Sequence, residues 1–474
     1  MKKVFSYLGG YKKEAVLAPL FKLLEACFEL AVPLVVAAIV DRGIGQGDRG
    51  YILGMFFVLI ALGAVGLAAA VTAQYFAAKA AVGHSTLLRR SLFEKMQSLS
   101  FAEVDQLGAA TMIARMTVDV NQVQTGVNMA LRLFLRSPFI VFGAMIMAFT
   151  VDVQAGIVFA VVIPVLSLVV ALIMGVTIPM YKKTQAKQDG LLLSVRENLT
   201  GGRVLRAFCK EKEEIAAFDK KNAALKKSQN AVGAISVLMN PLTYAIINAG
   251  IIALLYVGAI RVDGGALTQG EVLALYNYMS QILVELIKLA NLIITVTKSL
   301  ACARRIERVF ELNNPLERSD DTAVHTDNAV DFENVALSYS GGGNALEGIT
   351  FSVKRGETVG VIGGTGSGKS SLVNLIARFY DATEGRVLVD GVDVRAQDTA
   401  ALREKVGMVL QKAVLFKGTI RENLRWGNEN ATDAELMRAV ETAQAADVVA
   451  AKGGLDGEIE QGGRNLSGGQ KQRL

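Results

Sequence analysis

The stretch Glu357–Tyr380, "ETVGVIGGTGSGKSSLVNLIARFY", decides how the C-terminal part of the chain folds. It reads as an apolar strand, a glycine loop and an amphipathic helix in immediate succession. Gly363, Gly368, Lys369 and Ser370 fit the pattern G-x-x-x-x-G-K-[ST], and Gly364, Thr365, Gly366, Ser367 and Ser371 complete the loop. Glycines let backbone N–H groups close around phosphate oxygens, and the helix N-terminus adds a positive partial charge. In such a loop Lys369 reaches β- and γ-phosphates, and Ser370 ligates Mg²⁺. A chance match in a chain of this length has odds of about a few per cent. The strand before and the helix after lower them further, so a plain glycine turn is the weaker reading.

Around this segment the pattern is that of strands: "AVDFENVALSY", "GITFSV", "ETVGVIG" itself and "GRVLVDGVDV". A polar linker, residues 313–328, precedes them. Upstream the character changes. The whole chain has 474 residues, 52% of them hydrophobic, a mean hydropathy of +0.37 and a net charge of +6. Six apolar stretches are long enough to cross a bilayer: Ala15–Val40, Tyr51–Phe76, Leu131–Thr150, Val153–Pro179, Ser236–Ile260 and Glu271–Val296. Three connections between them are short. The other two, Ala77–Ala130 and Met180–Ile235, are long and rich in Lys and Arg. That basic excess places the N-terminus, both long connections and the C-terminal part in the cytoplasm. The positive charge lies beside apolar spans, so the partner it suits is a membrane face, not nucleic acid. Apolar residues three and four apart make each long connection a helical hairpin, with its tip near "FAEVDQLGAATMIARMTVDVNQVQ" or "SVRENLTGGRVLRAFCKEKEEIAAF".

The N-terminus is a poor signal peptide, since Lys12 and Lys13 interrupt its apolar run. Cys27, Cys209 and Cys302 have no metal-ligand spacing and read as reduced and packed.

A second glycine device sits at "LSGGQ", Leu466–Gln470. Ser467 and Gln470 form the capping-box pattern S-x-x-Q, which starts a helix at about Gly468. Gly468 and Gly469 leave its first N–H groups free of side chains, making a second anion-sized site.

Together these residues resemble the ATP-binding-cassette (ABC) transporters, of the exporter type with six spans fused to one nucleotide-binding domain. "GGTGSGKSS" resembles their phosphate loop and "LSGGQ" their signature. The resemblance implies an α-helical transmembrane domain, residues 1–312, and a partial α/β P-loop ATPase domain, residues 329–474, divided into a P-loop core (329–412) and a helical subdomain (413–474). It implies ATP and Mg²⁺ as cofactors. Tyr339 would stack on adenine, and Gln411 would join Ser370 at the metal. Ser467, Gly468, Gly469 and Gln470 would meet the ATP of a second half-transporter, identical or different. Parts of the hairpin tips, "FAEVDQLGAATMIARMTVDVNQV" and "ENLTGGRVLRAF", resemble coupling segments. "GEIEQGGRN" resembles the loop before the signature, with Glu460 and Gln461 departing from it. The implied cargo is amphipathic or apolar, carried across a bacterial inner membrane in contact with lipid.

The family pattern continues past the signature with a catalytic acid and a histidine. Neither His84 nor His325 has that position, so no catalytic residue is assigned and the chain is expected to be a fragment of a longer reading frame. Two rival readings stand beside the exporter: a membrane-bound nucleotide-binding regulator, and a non-hydrolysing truncated product. Within the spans, Lys22, Glu25, Glu29, Glu285 and Lys288, with Asn277 and Gln281, are costly at membrane depth. Local pairing of Lys22 with Glu25 and of Glu285 with Lys288 balances against lining of a cargo cavity.

Overall fold

The computed structural model describes residues 2–312, 327–339, 343–411 and 413–474. They divide into two compact units: Met1–Leu99 with Leu107–Asn313, and Ser100–Gln106 with Asn314–Leu474. Ser100–Gln106, expected with residues 1–312, therefore groups with the second unit. Most of the linker 313–328, including His325, lies outside the described residues; its last residue, Asn328, already begins a strand.

The first unit is built of six long helices, each long and apolar enough to cross a membrane: Lys3–Ile44, Arg49–Gln97, Ala109–Val151, Val153–Thr200, Glu211–Asp263 and Gln269–Glu311. Each contains one expected span and extends beyond it. The extensions are possible because the flanking sequence keeps helical apolar spacing after the uniformly apolar part ends. The second helix, at 49 residues, is about 70 Å long. Where the hairpins turn, short helices Phe101–Leu107 and Gly202–Ala207 form.

Two cores hold the six helices. One lies at span depth and includes Ala26, Ile140, Phe159, Leu254, Tyr278 and Ile282. The other lies in the extensions and includes Leu88, Leu92, Val123, Cys302 and Ile306. There the third and sixth helices approach closely: a Cβ on Gly126 would stand 2.2 Å from Ser299 Oγ. Asp119, buried in a π-helical turn, Arg115–Asp119, accepts hydrogen bonds from Arg305 across the same seam and from Arg115 in its own turn. His84 is buried, with Nε2 2.9 Å from the Val4 carbonyl. Of the three cysteines only Cys302 is buried. Cys27 and Cys209 are exposed, which corrects their reading as packed: one lies on an outer helix face, the other in a turn at φ +50°.

At the ends joined by short connections, two carboxylates cap helices and tie them to a neighbour. Asp41 accepts from Thr268 Oγ1 (2.6 Å) and Gly270 N (2.8 Å), tying the first span to the start of the sixth. Asp152 caps its own helix through Ala155 N and accepts from Arg261 of the fifth.

Within the spans the expected local pairs are present, with Lys22 Nζ 2.5 Å from Glu25 and Lys288 Nζ 2.8 Å from Glu285. A residue not singled out from the sequence joins them. Arg136 of the third span donates to Glu285 (2.7 Å) and to Glu29 (2.5 Å) and lies 3.8 Å from Glu25. Ser137 Oγ donates to the other Glu285 oxygen at 2.8 Å. The charges thus form one ladder across spans one, three and six.

In the second unit four strands form one antiparallel sheet in the order β2-β1-β3-β4, with β1 Asn328–Ser338, β2 Asn344–Lys354, β3 Glu384–Val389 and β4 Val392–Asp393. Phe332 opposes Phe351 on one side and Val387 on the other. Asp390 and Gly391, both at positive φ, make the two-residue turn between β3 and β4 that Asp-Gly favours. The expected strand "ETVGVIG" joins no ladder. Its residues belong to no strand or helix, with Val359, Val361 and Ile362 exposed. A strand of this kind forms only between parallel neighbours, and none pairs with it among the described residues. Residues 413–474 have a separate core, including Ile420, Leu436, Val440 and Leu466, and a small sheet of β5 Gly418–Thr419 with β6 Glu458–Ile459.

Candidate functional site

The helix Lys369–Ile376 packs Leu372 and Leu375 against Phe332, Leu346 and Val387 of the sheet. Its start is thereby fixed, and so is the loop leading into it. Gly366 and Gly368 stand at φ +85° and +86°, conformations that other residues adopt only with strain. The loop is closed at its base: a Cβ on Gly363 would lie 2.7 Å from Ser367 Oγ, and one on Gly368 2.6 Å from the Ala345 carbonyl oxygen. At Gly364 and Gly366 a Cβ would meet open space. Lys369 turns its ammonium into the loop, where it donates to the carbonyls of Gly363 and Gly364, both at 2.7 Å. A cation held by two neutral carbonyls at the mouth of a glycine cradle is poised for an anionic partner, because charge-assisted bonds are about twice as strong. Loop, lysine and helix start therefore fit a polyphosphate. Thr365 and Ser370 are exposed beside them.

Tyr339, at the end of β1, comes to the same helix. Its hydroxyl donates to Ser371 Oγ at 2.9 Å, which fixes the ring next to the loop. The ring also meets Tyr380 edge-on, with centroids 5.1 Å apart. Tyr380 in turn donates to the Asp105 carboxylate, and its neighbour Phe379 packs on Phe101, with centroids 4.5 Å apart. These contacts explain why Ser100–Gln106 groups with the second unit. Burial raises the Tyr380 hydroxyl above the ordinary phenol range and Asp105 raises it further, so the proton stays on Tyr380. In the sequence Tyr380 carries no assigned role. Its signal was weak, an aromatic at the end of a helix whose partner lies 275 residues earlier.

Gln411 is exposed at a bend after the helix Thr399–Lys405. At the signature the capping box is made in both directions. Ser467 Oγ accepts from Gln470 N (3.3 Å), and Ser467 N donates to Gln470 Oε1 (2.9 Å). Gly468 and Gly469 have open space where a Cβ would stand. The loop before it is held by Asn465, which donates to the Glu458 carbonyl and accepts from Glu460 N. Lys471 donates to the Gly462 carbonyl. Tyr339 and the glycine loop are thus brought together, while Ser467 and Gln470 bond to each other within a separate core.

The family profile described as "ABC transporter transmembrane region" matches residues 16–286, and that described as "ABC transporter" matches residues 346–474. An uncharacterised ABC transporter ATP-binding protein of Mycobacterium bovis is 33% identical over 99% of this chain and 81% of its own length. One of Bacillus subtilis is 32% identical over 100% of this chain and 83% of its own. An ATP-dependent lipid A-core flippase of Syntrophus aciditrophicus is 28% identical over 82% of this chain and 65% of its own. A solved bacterial Atm1-family ABC exporter with ATP bound shares the fold at a TM-score of 0.78 and 23% identity, over 98% of this chain and 82% of that one.

Proposed function

The chain belongs to the ABC transporter family as a half-transporter of the exporter type, and from that premise we propose that it drives export of an amphipathic cargo by binding and hydrolysing ATP together with a second half. The observation that carries this reading is the Lys369 ammonium inside its glycine cradle, in a chain with six helices able to cross a membrane. Bound ATP supplies a phosphoryl group for transfer to water, and Mg²⁺ withdraws charge from its oxygens. Lys369 and the amides from Gly363 to Ser371 hold the phosphates. Ser370 and Gln411 hold the metal, and Tyr339 offers its ring to the base. Ser467, Gly468, Gly469 and Gln470 serve the nucleotide of the second half, which is either another copy of this chain or a related one. Residues 1–312 act as the membrane domain and 329–474 as the cassette, with the N-terminus and both long hairpins in the cytoplasm of a bacterial cell and the spans in its inner membrane. Ser100–Gln106, continuous in sequence with the second and third helices and packed with the cassette, passes movement between them.

The test is nucleotide binding and ATP-dependent flux in proteoliposomes with the protein carrying this chain. Lys369→Ala should weaken ATP binding at least tenfold and abolish flux, since it removes the loop's only side-chain cation. Unchanged binding would dismiss the site. Full nucleotide binding without flux of any amphiphile would favour the regulator.

A further inference from the structure

The ladder through Arg136 is a balanced set. Lys22, Arg136 and Lys288 oppose Glu25, Glu29 and Glu285, so its formal charge sums to zero. It also lies deep. Glu29 is fourteen residues into the first span and Glu285 fourteen into the oppositely running sixth, each about 20 Å from an end. Its centre is sealed, with the side chains of Arg136 and Glu285 only 7% and 2% exposed. Two of its outer members are not: Glu29 is 38% exposed and Lys288 39%. Charged groups at this depth avoid lipid and face a bundle interior or a watery cavity. Around them the wall is apolar, with Ala26, Leu30, Ile140 and Leu286 in the adjoining core. The Arg136 Nε and Gln281 Oε1 atoms are buried and without a protein partner, so the region also holds polar atoms able to bond a ligand.

We infer that this ladder is a cargo site selecting amphiphiles whose head groups carry no net charge, zwitterions above all. The inference rests on the exporter reading and names its substrate class. A monovalent head group would leave one uncompensated charge in a water-poor wall, whereas a zwitterion leaves none. An apolar tail fits the apolar wall. The cationic part of the head meets Glu29 and the anionic part meets Lys288, the two most accessible members and opposite in charge.

Three amphiphiles with the same fourteen-carbon tail test this, carrying phosphocholine, trimethylammonium or sulfonate heads. Below their micelle concentrations, their binding to the assembled transporter in nanodiscs is measured by displacement of a fluorescent phosphocholine, and their stimulation of ATP hydrolysis separately. Phosphocholine should bind the wild type at least about tenfold more tightly than either charged analogue. Glu29→Gln, which leaves the sum at +1, should improve sulfonate binding about fivefold or more. Lys288→Gln, at −1, should do the same for trimethylammonium. Both variants keep the sealed Arg136–Glu285 pair. Binding that ranks this way without any stimulation or flux supports the cargo site and refutes the exporter reading. The same rank order in all three proteins, a wild type preferring a monovalent head, or no binding of any of the three overturns the inference.

Discussion

Arg136→Met is the sharpest test of how the spans are held together. The change keeps an unbranched apolar stem and deletes the guanidinium. Two hydrogen-bonded contacts are lost, and they differ in value; the 3.8 Å approach to Glu25 is too long to be a hydrogen bond and Glu25 keeps Lys22. Glu285 is almost fully buried, and breaking such a pair costs about 3–5 kcal/mol because it strands a charge. Here the lower end applies, since Glu285 keeps Lys288 and Ser137, each at 2.8 Å. Glu29 is more than a third exposed, so its contact is discounted to about 0.5–1 kcal/mol. Against this, the wild type carries an unpartnered buried Arg136 Nε, and removing it returns about 1 kcal/mol. The net loss is about 2–3 kcal/mol, a factor of roughly 30 to 150 in the folding equilibrium. Unfolding in increasing SDS mole fraction, followed by helical circular dichroism, measures it. Combining Arg136→Met with Glu285→Met should recover about 1 kcal/mol or more, because residues in one network couple. A single variant within about 0.5 kcal/mol of wild type, or a double variant no better than the single, would refute the reasoning.

Tyr380→Phe removes only the hydroxyl bonded to Asp105; it should leave ATP affinity within about twofold yet reduce flux per ATP hydrolysed, and equal coupling would show that the contact is idle. Ser467→Ala deletes the capping oxygen and should destabilise the signature helix by about 1 kcal/mol, seen as faster amide exchange at Gly469 and Gln470; unaltered exchange would mean that the cap contributes nothing. Asp447 is held below the ordinary carboxylate range chiefly by its hydrogen bond to Arg473. A lowered folded pKa gives stability that is present above the unfolded value and lost as pH falls through the folded one. Arg473→Leu should therefore flatten the acid end of the cassette's stability profile, below about pH 4, and a profile parallel to wild type would contradict the pairing. Single cysteines at Gly45 and Gly265 should be labelled from outside the cell and those at Lys183 and Ser228 should not; the reverse pattern would invert the topology.

Periodicity and glycine placement made most of the architecture legible. The six spans announced themselves by length, and the glycine loop by a motif followed by the expected helix. The capping box at Ser467 was readable because its two partners are three residues apart. What was hidden depended on pairing across distance. The "ETVGVIG" segment carries strand propensity, but a parallel strand exists only beside its neighbours. Tyr380 acquires its role from Asp105, far away in sequence. Arg136 was the instructive omission. The charges noticed in spans one and six, two lysines against three glutamates, sum to −1, and that imbalance at membrane depth called for one more cation. The third span offered Arg132 and Arg136 near one end, and the arithmetic could have directed attention there.

The ladder also sets a timetable for biogenesis. Lys22 neutralises Glu25 within the first span, but Glu29 has no cation of its own there. Its partner, Arg136, is synthesised 107 residues later. At about 5–20 residues per second the first span waits roughly 5–20 s with an unanswered carboxylate. With Arg136 the sum is already zero, and Glu285, 149 residues after Arg136, disturbs it only until Lys288 follows one turn behind. The nascent chain should therefore linger beside an insertion machinery that offers water or polar groups to Glu29. The early spans should be released into lipid as a group rather than one by one.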